Sequence, residues 1–267
     1  MTAAARSQIK VAGRPLELLD LPGRSDRAPL ILLHEGLGSV GLWRGFPTLL
    51  HEVTARRLIA FSRFGHGRSA PPPTSRTPNF FHEEALEVLP RLLAELDVSQ
   101  PVLIGHSDGA SIALIHAAHR SVSGLVLLAP HVFVEEICLR AIRATRESYL
   151  RGDLRELLAR HHDNPDAAFW GWCDVWLDPA FADWNLESEA ARLAAPTLLI
   201  QGAEDPYGSL DQLARIEARA RGYVERLVLE GGHNPHLDHD RQVTDAIKTF
   251  LARLPAREPD LTAPRNQ

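Results

Sequence analysis

The sequence has 267 residues and a formal charge of −5, from 29 basic and 34 acidic side chains. With 45% hydrophobic and 24% charged residues, its composition is that of an ordinary globular chain and argues against a disordered one. The slight acidic excess leaves no bulk positive field for a nucleic-acid backbone, so we expect no nucleic-acid partner.

Cysteine content and the length of apolar runs indicate where the protein resides. The two cysteines, Cys138 and Cys173, are too few for a disulfide framework or, unaided, for a four-ligand zinc site. Residues 1–8 show no secretory signal, and the longest apolar stretches are far shorter than the roughly 20 residues that span a bilayer. We therefore expect a cytoplasmic protein without membrane contact.

The predicted strands begin with a hairpin at a sheet edge, formed by residues 9–11 and 16–21 around Gly13-Arg14-Pro15. Six short apolar runs follow it. Most lack the alternation of a half-exposed strand, which is typical of strands buried on both faces of a parallel sheet. The runs are residues 29–34, 57–62, 102–105, 125–129, 197–201 and 226–229.

Amphipathic segments between the runs predict helices. Residues 81–96 carry apolar side chains at steps of three and four, and residues 243–254 give a last helix. Ser209 and Gln212 have the spacing of a capping box, which would open another helix. Its inward-facing residues would be Leu213, Ile216 and Ala220. The alternation of strands and helices predicts the α/β fold class, with a mostly parallel, doubly wound sheet.

The alternation breaks once, between Pro130 and Pro196, where helical signals replace strand-like runs. Asp153 and Glu156 form a cap-like pair. Further along, buried-type residues recur at i, i+3, i+4 and i+7, namely Phe169, Trp172, Cys173 and Trp176. The predicted domains are a core, residues 1–131 and 193–267, and a helical cap insertion, residues 132–192, called the insertion below. The chain ends, residues 1–7 and 255–267, are expected to be loose.

The strongest chemical signal is Gly105-His106-Ser107-Asp108-Gly109, which directly follows a predicted strand and precedes a helix rich in small residues. A G-x-S-x-G sequence in that context is typical of a nucleophile elbow, in which a serine sits on a strained turn. The flanking glycines would keep neighbouring backbones apart. Without that context the pattern would indicate only a glycine-rich turn.

A serine nucleophile needs a base and an orienting carboxylate, expected after later strands in the order serine, acid, histidine. Asp205 follows the strand at 197–201, and His233 follows the strand at 226–229. We therefore predict the triad Ser107, Asp205 and His233. Asp205 is preferred among the acids because it precedes Pro206 in the turn. The competing residues are Glu204 and Glu230 for the acid, and His236 and His239 for the base.

The remaining element is an oxyanion hole, which needs backbone N–H donors near the serine. The first parallel strand leads into Glu35-Gly36-Leu37-Gly38, where glycine lets an amide face the substrate. We assign the donors to the amides of Gly36 and Asp108. The alternative is that this segment is only a strand-to-helix loop.

Taken together, these motifs resemble those of the α/β-hydrolase fold family, from about residue 29 to residue 254. The matching segments in family order are His34 and Gly36, Arg63-Phe64-Gly65-His66-Gly67-Arg68-Ser69, the elbow, Asp205 and His233. The resemblance implies an α/β-hydrolase fold in which the insertion fills the place of the family's cap. Serine rather than aspartate at position 107 argues against the haloalkane dehalogenase and epoxide hydrolase branches.

Two residues depart from the family pattern. Glu35 stands where the family usually has glycine, and Ser62 stands where it usually has aspartate. We expect the change at Ser62 to alter a structural hydrogen bond. Glu35 would contact a polar group of the substrate or position water; otherwise it is a solvated loop carboxylate or a partner for Arg44.

These residues predict a serine hydrolase that cleaves a small, hydrophobic or aromatic carboxylic ester through an acyl-enzyme. The alternatives are a thioesterase, a lactonase or a hydrolase of a carbon–carbon bond in a diketone. A non-catalytic ligand-binding protein on the same scaffold is the alternative of another class.

The predicted substrate pocket uses residues near strand ends and in the insertion, namely Glu35, His131, Trp172, Trp176 and Tyr207. The aromatic stripe of the insertion could equally pack the insertion onto itself or onto the core. No cofactor or metal is expected, because the histidine-rich segment 233–240 lacks a second ligand cluster. An exposed tryptophan-rich face of the insertion would suit a homodimer.

Overall fold

The computed structural model describes residues 6–254, and its centre is an eight-stranded sheet. The strands are β1 (Arg6–Val11), β2 (Arg14–Leu21), β3 (Leu30–Leu33), β4 (Leu58–Phe61), β5 (Val102–His106), β6 (Gly124–Leu128), β7 (Thr197–Gly202) and β8 (Val224–Leu229). Their spatial order is β1-β2-β4-β3-β5-β6-β7-β8. β1 and β2 are antiparallel to their neighbours, and all later pairs are parallel. The predicted mostly parallel sheet is confirmed.

Burial explains why most of these strands have continuously apolar sequences. Every residue of β3, β4, β5, β6 and β7 is buried, because helices cover both faces of the sheet. The edge strand β8 is only partly buried over most of its length.

The predicted hairpin is confirmed, but its turn lies earlier than expected. Ala12 and Gly13 make the turn, with Gly13 at a φ of +76°, a conformation that glycine adopts without strain. Arg14 and Pro15 lie in β2 instead, where Pro15 pairs with Lys10. Of the ends predicted to be loose, residues 6 and 7 belong to β1, whereas residues 1–5 and 255–267 lie outside the described part of the chain.

Helices cover the two faces of the sheet, which confirms the doubly wound arrangement. The helices are α1 (Phe46–Thr54), α2 (Phe80–Glu83), α3 (Leu89–Glu95), α4 (Asp108–His119), α5 (Glu136–Arg151), α6 (Asp153–Ala159), α7 (Pro165–Leu177), α8 (Glu187–Ala190), α9 (Asp211–Arg219), α10 (Pro235–Asp238) and α11 (Asp240–Arg253). A π-helical turn, Glu84–Val88, joins α2 to α3. One core lies beneath α1 and α11, and the other lies beneath α3, α4 and the insertion. No helix within residues 6–254 is long and apolar enough to cross a membrane.

Between β6 and β7 the described chain forms four α-helices, α5 to α8. The stripe predicted on α7 is buried, including Trp172 and Trp176, while Trp170 and Trp184 are half-buried. The exposed tryptophan face that would favour a homodimer is therefore missing from residues 6–254, and the homodimer stays a prediction without that support. The boundaries of the insertion likewise stay a prediction.

The two predicted helix-capping pairs do not form. Gly152, not Asp153, is the N-cap of α6. In the first turn of α9, the side chain of Gln212 accepts a hydrogen bond from the N–H of Val132 at 2.7 Å and donates to Glu135 at 2.7 Å. Ser209 also donates to Glu135, at 2.6 Å. The carboxylate of Glu135, distant in sequence, thus replaces the local capping box and ties the start of the insertion to α9.

Candidate active site

The candidate site lies at the carboxyl ends of the parallel strands. Ser107 directly follows β5, Asp205 follows β7 and His233 follows β8. Ligands bind at this edge in open parallel sheets, because the loops after neighbouring strands converge there. Three residues far apart in sequence therefore meet.

The turn at Ser107 has the strain expected of a nucleophile elbow. Ser107 has φ 53° and ψ −119°, a backbone conformation that residues other than glycine rarely adopt. Added Cβ atoms at Gly105 and Gly109 would overlap the carbonyl oxygens of Gly109 and Leu33, respectively. Glycine at both flanks thus lets β5, the turn and α4 approach closely enough to hold the serine in place.

Hydrogen bonds join the predicted triad residues in one line. The distance from His233 Nε2 to Ser107 Oγ is 2.9 Å, and His233 Nδ1 lies 2.9 and 2.8 Å from the two carboxylate oxygens of Asp205. Asp205 is 4% exposed and also accepts a hydrogen bond from the N–H of Tyr207 at 2.8 Å. Burial raises the pKa of Asp205, but the hydrogen bond and charge of His233 outweigh it, so the pKa lies below its ordinary value.

The competing residues take other partners. Glu204 is exposed and accepts a hydrogen bond from the N–H of Gly231, and Glu230 is also exposed. His236 is buried against Trp43, with ring centroids 4.9 Å apart, and His239 donates to the carbonyl oxygen of Glu230 at 2.8 Å.

The two predicted oxyanion donors belong to residues that line the same cavity as Ser107. Asp108 is the first residue of α4, so its N–H has no acceptor within the helix. Gly36 lies in the loop after β3, where the carbonyl oxygen of Glu35 accepts hydrogen bonds from Arg63 at 2.9 Å and from the N–H of Gly38 at 3.0 Å. A Cβ at Gly36 would overlap the indole of Trp172, so glycine is needed where the insertion closes over this loop.

A cavity of about 180 Å³ opens beside Ser107, and all five predicted pocket residues line it. Sequence reasoning missed four further lining residues, Leu37, Cys138, Ile142 and Asn234. Leu37 and Asn234 adjoin predicted site residues, and Cys138 and Ile142 share one face of α5 at a spacing of four. Neither a lysine nor an arginine is among the described residues that line the cavity.

Trp176 both packs and lines the cavity, so both interpretations of the aromatic stripe hold for it. Its ring lies 5.1 Å from that of Phe181, while its Nε1–H donates to Asp108 Oδ1 at 3.1 Å. Asp108 is 1% exposed, and its Oδ2 has no hydrogen-bond partner among the described residues. Burial raises the pKa of the Asp108 carboxyl above its ordinary value.

The partner of Glu35 is His106 rather than Arg44. Glu35 Oε2 lies 3.7 Å from His106 Nδ1, and the Glu35 side chain is 28% exposed at the cavity wall. His106 Nε2 donates to the carbonyl oxygen of His233 at 2.7 Å. Burial raises the pKa of Glu35, but the interactions with His106, a backbone hydrogen bond and the charge of Arg63 together lower it by more, so the net pKa lies below its ordinary value.

A carboxylate from another strand replaces the aspartate that the family has at position 62. Ser62 Oγ donates to Glu17 Oε2 at 2.7 Å and accepts a hydrogen bond from the N–H of Val40 at 2.9 Å. Glu17 is 2% exposed, and its Oε2 also accepts a hydrogen bond from the N–H of Arg68 at 3.0 Å. The expected change in a structural hydrogen bond is therefore found, with β2 supplying the acid.

Within residues 6–254, no three histidine, cysteine, aspartate or glutamate side chains are grouped in a way that could hold a metal ion. In the histidine-rich segment, His236 and His239 have the separate contacts described above, so they do not converge.

Comparisons with known proteins agree with this fold. A family model described as "Alpha/beta hydrolase family" matches residues 30–246. The mouse "Serine hydrolase BPHL" is 26% identical over 94% of this chain and 87% of its own length. A "2-succinyl-6-hydroxy-2,4-cyclohexadiene-1-carboxylate synthase" of Serratia proteamaculans is 25% identical over 86% of this chain and 95% of its own. The solved enol-lactonase of Burkholderia xenovorans LB400 superimposes with a TM-score of 0.73 at 18% identity, over 92% of this chain and 100% of its own.

Proposed function

The chain belongs to the alpha/beta hydrolase family, and on that basis we propose that it is a serine esterase that acts on small carboxylic esters through Ser107, His233 and Asp205. One observation carries this proposal. The His233 ring is hydrogen-bonded to Ser107 Oγ on one side and to the Asp205 carboxylate on the other. That arrangement has the geometry of a nucleophile, a base and an orienting acid.

In the first half of the reaction, His233 Nε2 takes the proton of Ser107 as Oγ attacks the ester carbonyl carbon. The carbonyl oxygen becomes an oxyanion, which the N–H groups of Gly36 and Asp108 stabilise. The intermediate then collapses and the carbon–oxygen bond of the ester breaks. His233 returns the proton to the departing alkoxide, which leaves as an alcohol, and the acyl group remains on Ser107 as an ester.

In the second half, His233 takes a proton from water, and the resulting hydroxide attacks the acyl-Ser107 carbonyl. The same N–H groups hold the second oxyanion. Collapse releases a carboxylic acid and restores the Ser107 hydroxyl with the proton from His233. Asp205 accepts a hydrogen bond from His233 Nδ1 throughout, and its low pKa keeps it ionised opposite the imidazolium.

The cavity favours an uncharged or positively charged substrate over an anionic one. Its volume of about 180 Å³ suits a small molecule, and Trp172, Trp176 and Tyr207 supply flat apolar walls. Two of the described lining residues, Glu35 and Asp108, carry carboxyl groups. Arg63 lies behind the loop after β3, donating to backbone carbonyl oxygens, and is not among the described residues lining the cavity. A substrate carboxylate or phosphate would therefore lie beside carboxyl groups, and among the described residues no cationic side chain that lines the cavity would contact it.

The test is a panel of 4-nitrophenyl esters that includes the acetate and a matched pair, 4-nitrophenyl hydrogen adipate and its neutral methyl ester. We expect hydrolysis of the acetate, a higher kcat/KM for the neutral adipate, and a loss of about 10⁴-fold or more in kcat in Ser107→Ala. Ser111→Ala is the matched control, because Ser111 Oγ donates to the carbonyl oxygen of His131 and lies outside the proposed triad.

Two further measurements separate the alternatives. A γ-lactone or thioester turned over more than about tenfold faster than any ester would replace the esterase proposal with that activity. A folded wild-type protein that a fluorophosphonate does not label at Ser107 would favour a ligand-binding protein on this scaffold.

A further inference from the structure

Three consecutive carbonyl oxygens beside the proposed oxyanion hole each accept a hydrogen bond from a different buried histidine. His34 Nδ1 donates to the oxygen of Glu35 at 2.7 Å, and His66 Nε2 donates to that of Gly36 at 2.9 Å. His162 Nε2 donates to the oxygen of Leu37 at 2.9 Å. The ring of His66 lies 4.9 Å from that of His34 and 5.8 Å from that of His162. These three histidines, called the histidine cradle below, all donate hydrogen bonds to the loop that follows β3.

The tautomer of each ring follows from its second partner, which is an N–H donor. His34 Nε2 accepts from the backbone N–H of Arg63 at 3.0 Å. His66 Nδ1 accepts from the guanidinium of Arg76 at 3.0 Å, and His162 Nδ1 accepts from the backbone N–H of Gly67 at 2.9 Å. A neutral imidazole that accepts at one nitrogen must donate at the other, so each ring holds its proton on the side of the loop. Burial lowers the pKa of all three histidines, which favours this neutral form.

Fixed carbonyl groups orient the amides that matter for catalysis. In a planar trans peptide, the C=O group and the following N–H point in opposite directions. Hydrogen bonds from the cradle to the oxygens of Glu35 and Gly36 therefore direct the N–H groups of Gly36 and Leu37 away from the cradle. Both of these residues line the cavity beside Ser107. The cradle thus holds the N–H groups towards the side on which the oxyanion would form.

The three histidines reach this loop from different parts of the chain. His34 follows β3 and His66 lies in the turn after β4, whereas His162 lies between α6 and α7 in the insertion. The backbone N–H of Asp163 also donates to the carbonyl oxygen of Gly67 at 2.9 Å. This second bond anchors the insertion beside the loop independently of the His162 ring.

We propose that His162 is a positioning residue through which the insertion supports the oxyanion hole. Its Nε2–H holds the carbonyl oxygen of Leu37, and the N–H that follows, that of Gly38, donates to the carbonyl oxygen of Glu35, whose peptide carries the N–H of Gly36. This inference rests on the proposed esterase function. His162 is not among the described residues that line the cavity, so it acts through the loop and not on the substrate.

Two amide substitutions separate the two hydrogen bonds of His162. In His162→Gln the side-chain NH₂ reaches about as far as Nε2 and retains a donor for Leu37. In His162→Asn the shorter side chain presents its oxygen near the position of Nδ1, so it retains the acceptor for the N–H of Gly67 and loses the bond to Leu37. The matched control is His161→Asn, at the half-buried neighbouring histidine.

We expect His162→Asn to lower kcat for 4-nitrophenyl acetate by about tenfold or more, with KM within about twofold, because the lost interaction acts on the transition state. A trifluoromethyl ketone, which forms an oxyanion on the serine, should bind more weakly by the same factor. His162→Gln should recover most of the rate, and His161→Asn should resemble the wild type.

The opposite order, with His162→Asn at least as active as His162→Gln, would show that the bond to Gly67 matters and would overturn the inference. Equal loss in both variants and in His161→Asn would also overturn it, since packing alone would then explain the effect. Rates of Ser107 labelling by a fluorophosphonate provide the same comparison without a substrate. A wild-type protein that is neither labelled nor hydrolytically active would instead refute the esterase function, and the inference with it.

Discussion

Glu35 places a second carboxylate at the cavity wall, and its charge should act on substrate choice. It faces His106 at 3.7 Å and remains 28% exposed at the cavity. We expect Glu35→Gln to raise kcat/KM for 4-nitrophenyl hydrogen adipate by about tenfold relative to its methyl ester. A tenfold change corresponds to about 1.4 kcal/mol, which is less than the ~4 kcal/mol between two unit charges about 4 Å apart at an effective dielectric constant of about 20. Steady-state kinetics on this ester pair measure the change.

The exposed carboxylate of Glu230 gives the control, because it is not among the described residues lining the cavity. Glu230→Gln should leave the ratio of the two esters unchanged. An equal rise in both variants would mean that overall charge, and not the wall of the cavity, discriminates between the esters.

Single residues differ in how far the sequence reveals them. Ser107, Asp205 and His233 were predictable because each follows a strand, and parallel strands bring their carboxyl ends together. His162 and Glu17 were not, because their partners lie 125 and 45 residues away and no local spacing encodes those contacts. The departure at Ser62 pointed to a changed hydrogen bond, but only the structure identifies Glu17 as the acid.

At the scale of elements, Glu17 joins β2 to the end of β4 and to the loop that follows it. We expect Glu17→Ser to lower the free energy of unfolding by about 2–4 kcal/mol, because Ser62 Oγ and the N–H of Arg68 lose a buried charged acceptor. The double variant Glu17→Ser/Ser62→Asp moves the carboxylate to β4 and should regain part of that loss. Urea denaturation measures both.

Asp20 on the same strand is the matched control, because its ion pair with Arg57 is partly exposed. Asp20→Ser should lower the free energy of unfolding by less than about 1 kcal/mol. If Glu17→Ser lowers the free energy of unfolding by no more than Asp20→Ser does, the role of Glu17 as the buried link between β2 and the end of β4 is refuted.

The elements themselves show why some local patterns predict structure and others do not. The runs that became β3 to β7 were recognisable because burial on both faces selects apolar residues at every position. The Ser209–Gln212 pattern failed because the carboxylate of Glu135, 74 residues from Ser209, accepts the backbone N–H of Ser209, which the side chain of Gln212 would accept in a capping box. Helix capping is a local signal only where no distant side chain competes for it.

Across the whole molecule, buried neutral histidines should make the fold sensitive to acid. Burial lowers the pKa of several histidines, in the case of His131 to about 3. The other buried histidines with a lowered pKa are His34, His66, His116, His162 and His236, and burial also lowers the pKa of the half-buried His161. Below about pH 6.5 these histidines bind protons in the unfolded chain but stay neutral in the folded chain. The free energy of unfolding therefore falls as pH falls. Each contributes up to about 1.4 kcal/mol per pH unit until its folded pKa is reached. We expect the urea midpoint to fall steadily from pH 7 to pH 5.

Two histidines at the end of α4 allow a matched comparison. His116 is buried and donates from Nδ1 to the carbonyl oxygen of Ala85 at 2.8 Å, a bond that the side-chain NH₂ of asparagine can approximate, whereas His119 is exposed. His116→Asn should make the pH dependence shallower, by up to one proton, and His119→Asn should leave it unchanged. A urea midpoint that is constant between pH 7 and pH 5 would refute this account.

The overall architecture was the most predictable level, because strand–helix alternation and strand burial are properties of long segments. How the insertion meets the core was the least predictable, since it depends on pairs such as His162 with Leu37 and Trp172 with Gly36.

Those pairs limit how freely parts can be exchanged between relatives. The space beside Gly36 is filled by an indole from the insertion, and the carbonyl oxygen of Leu37 takes its proton donor from there as well. A chimera that carried a foreign segment in place of residues 132–192 would thus change a wall of the cavity and the support of the loop in one step. A segment grafted for a new specificity would have to supply a flat side chain beside Gly36 and an N–H group for the carbonyl oxygen of Leu37. In this protein, a change of substrate selectivity therefore also changes the rate.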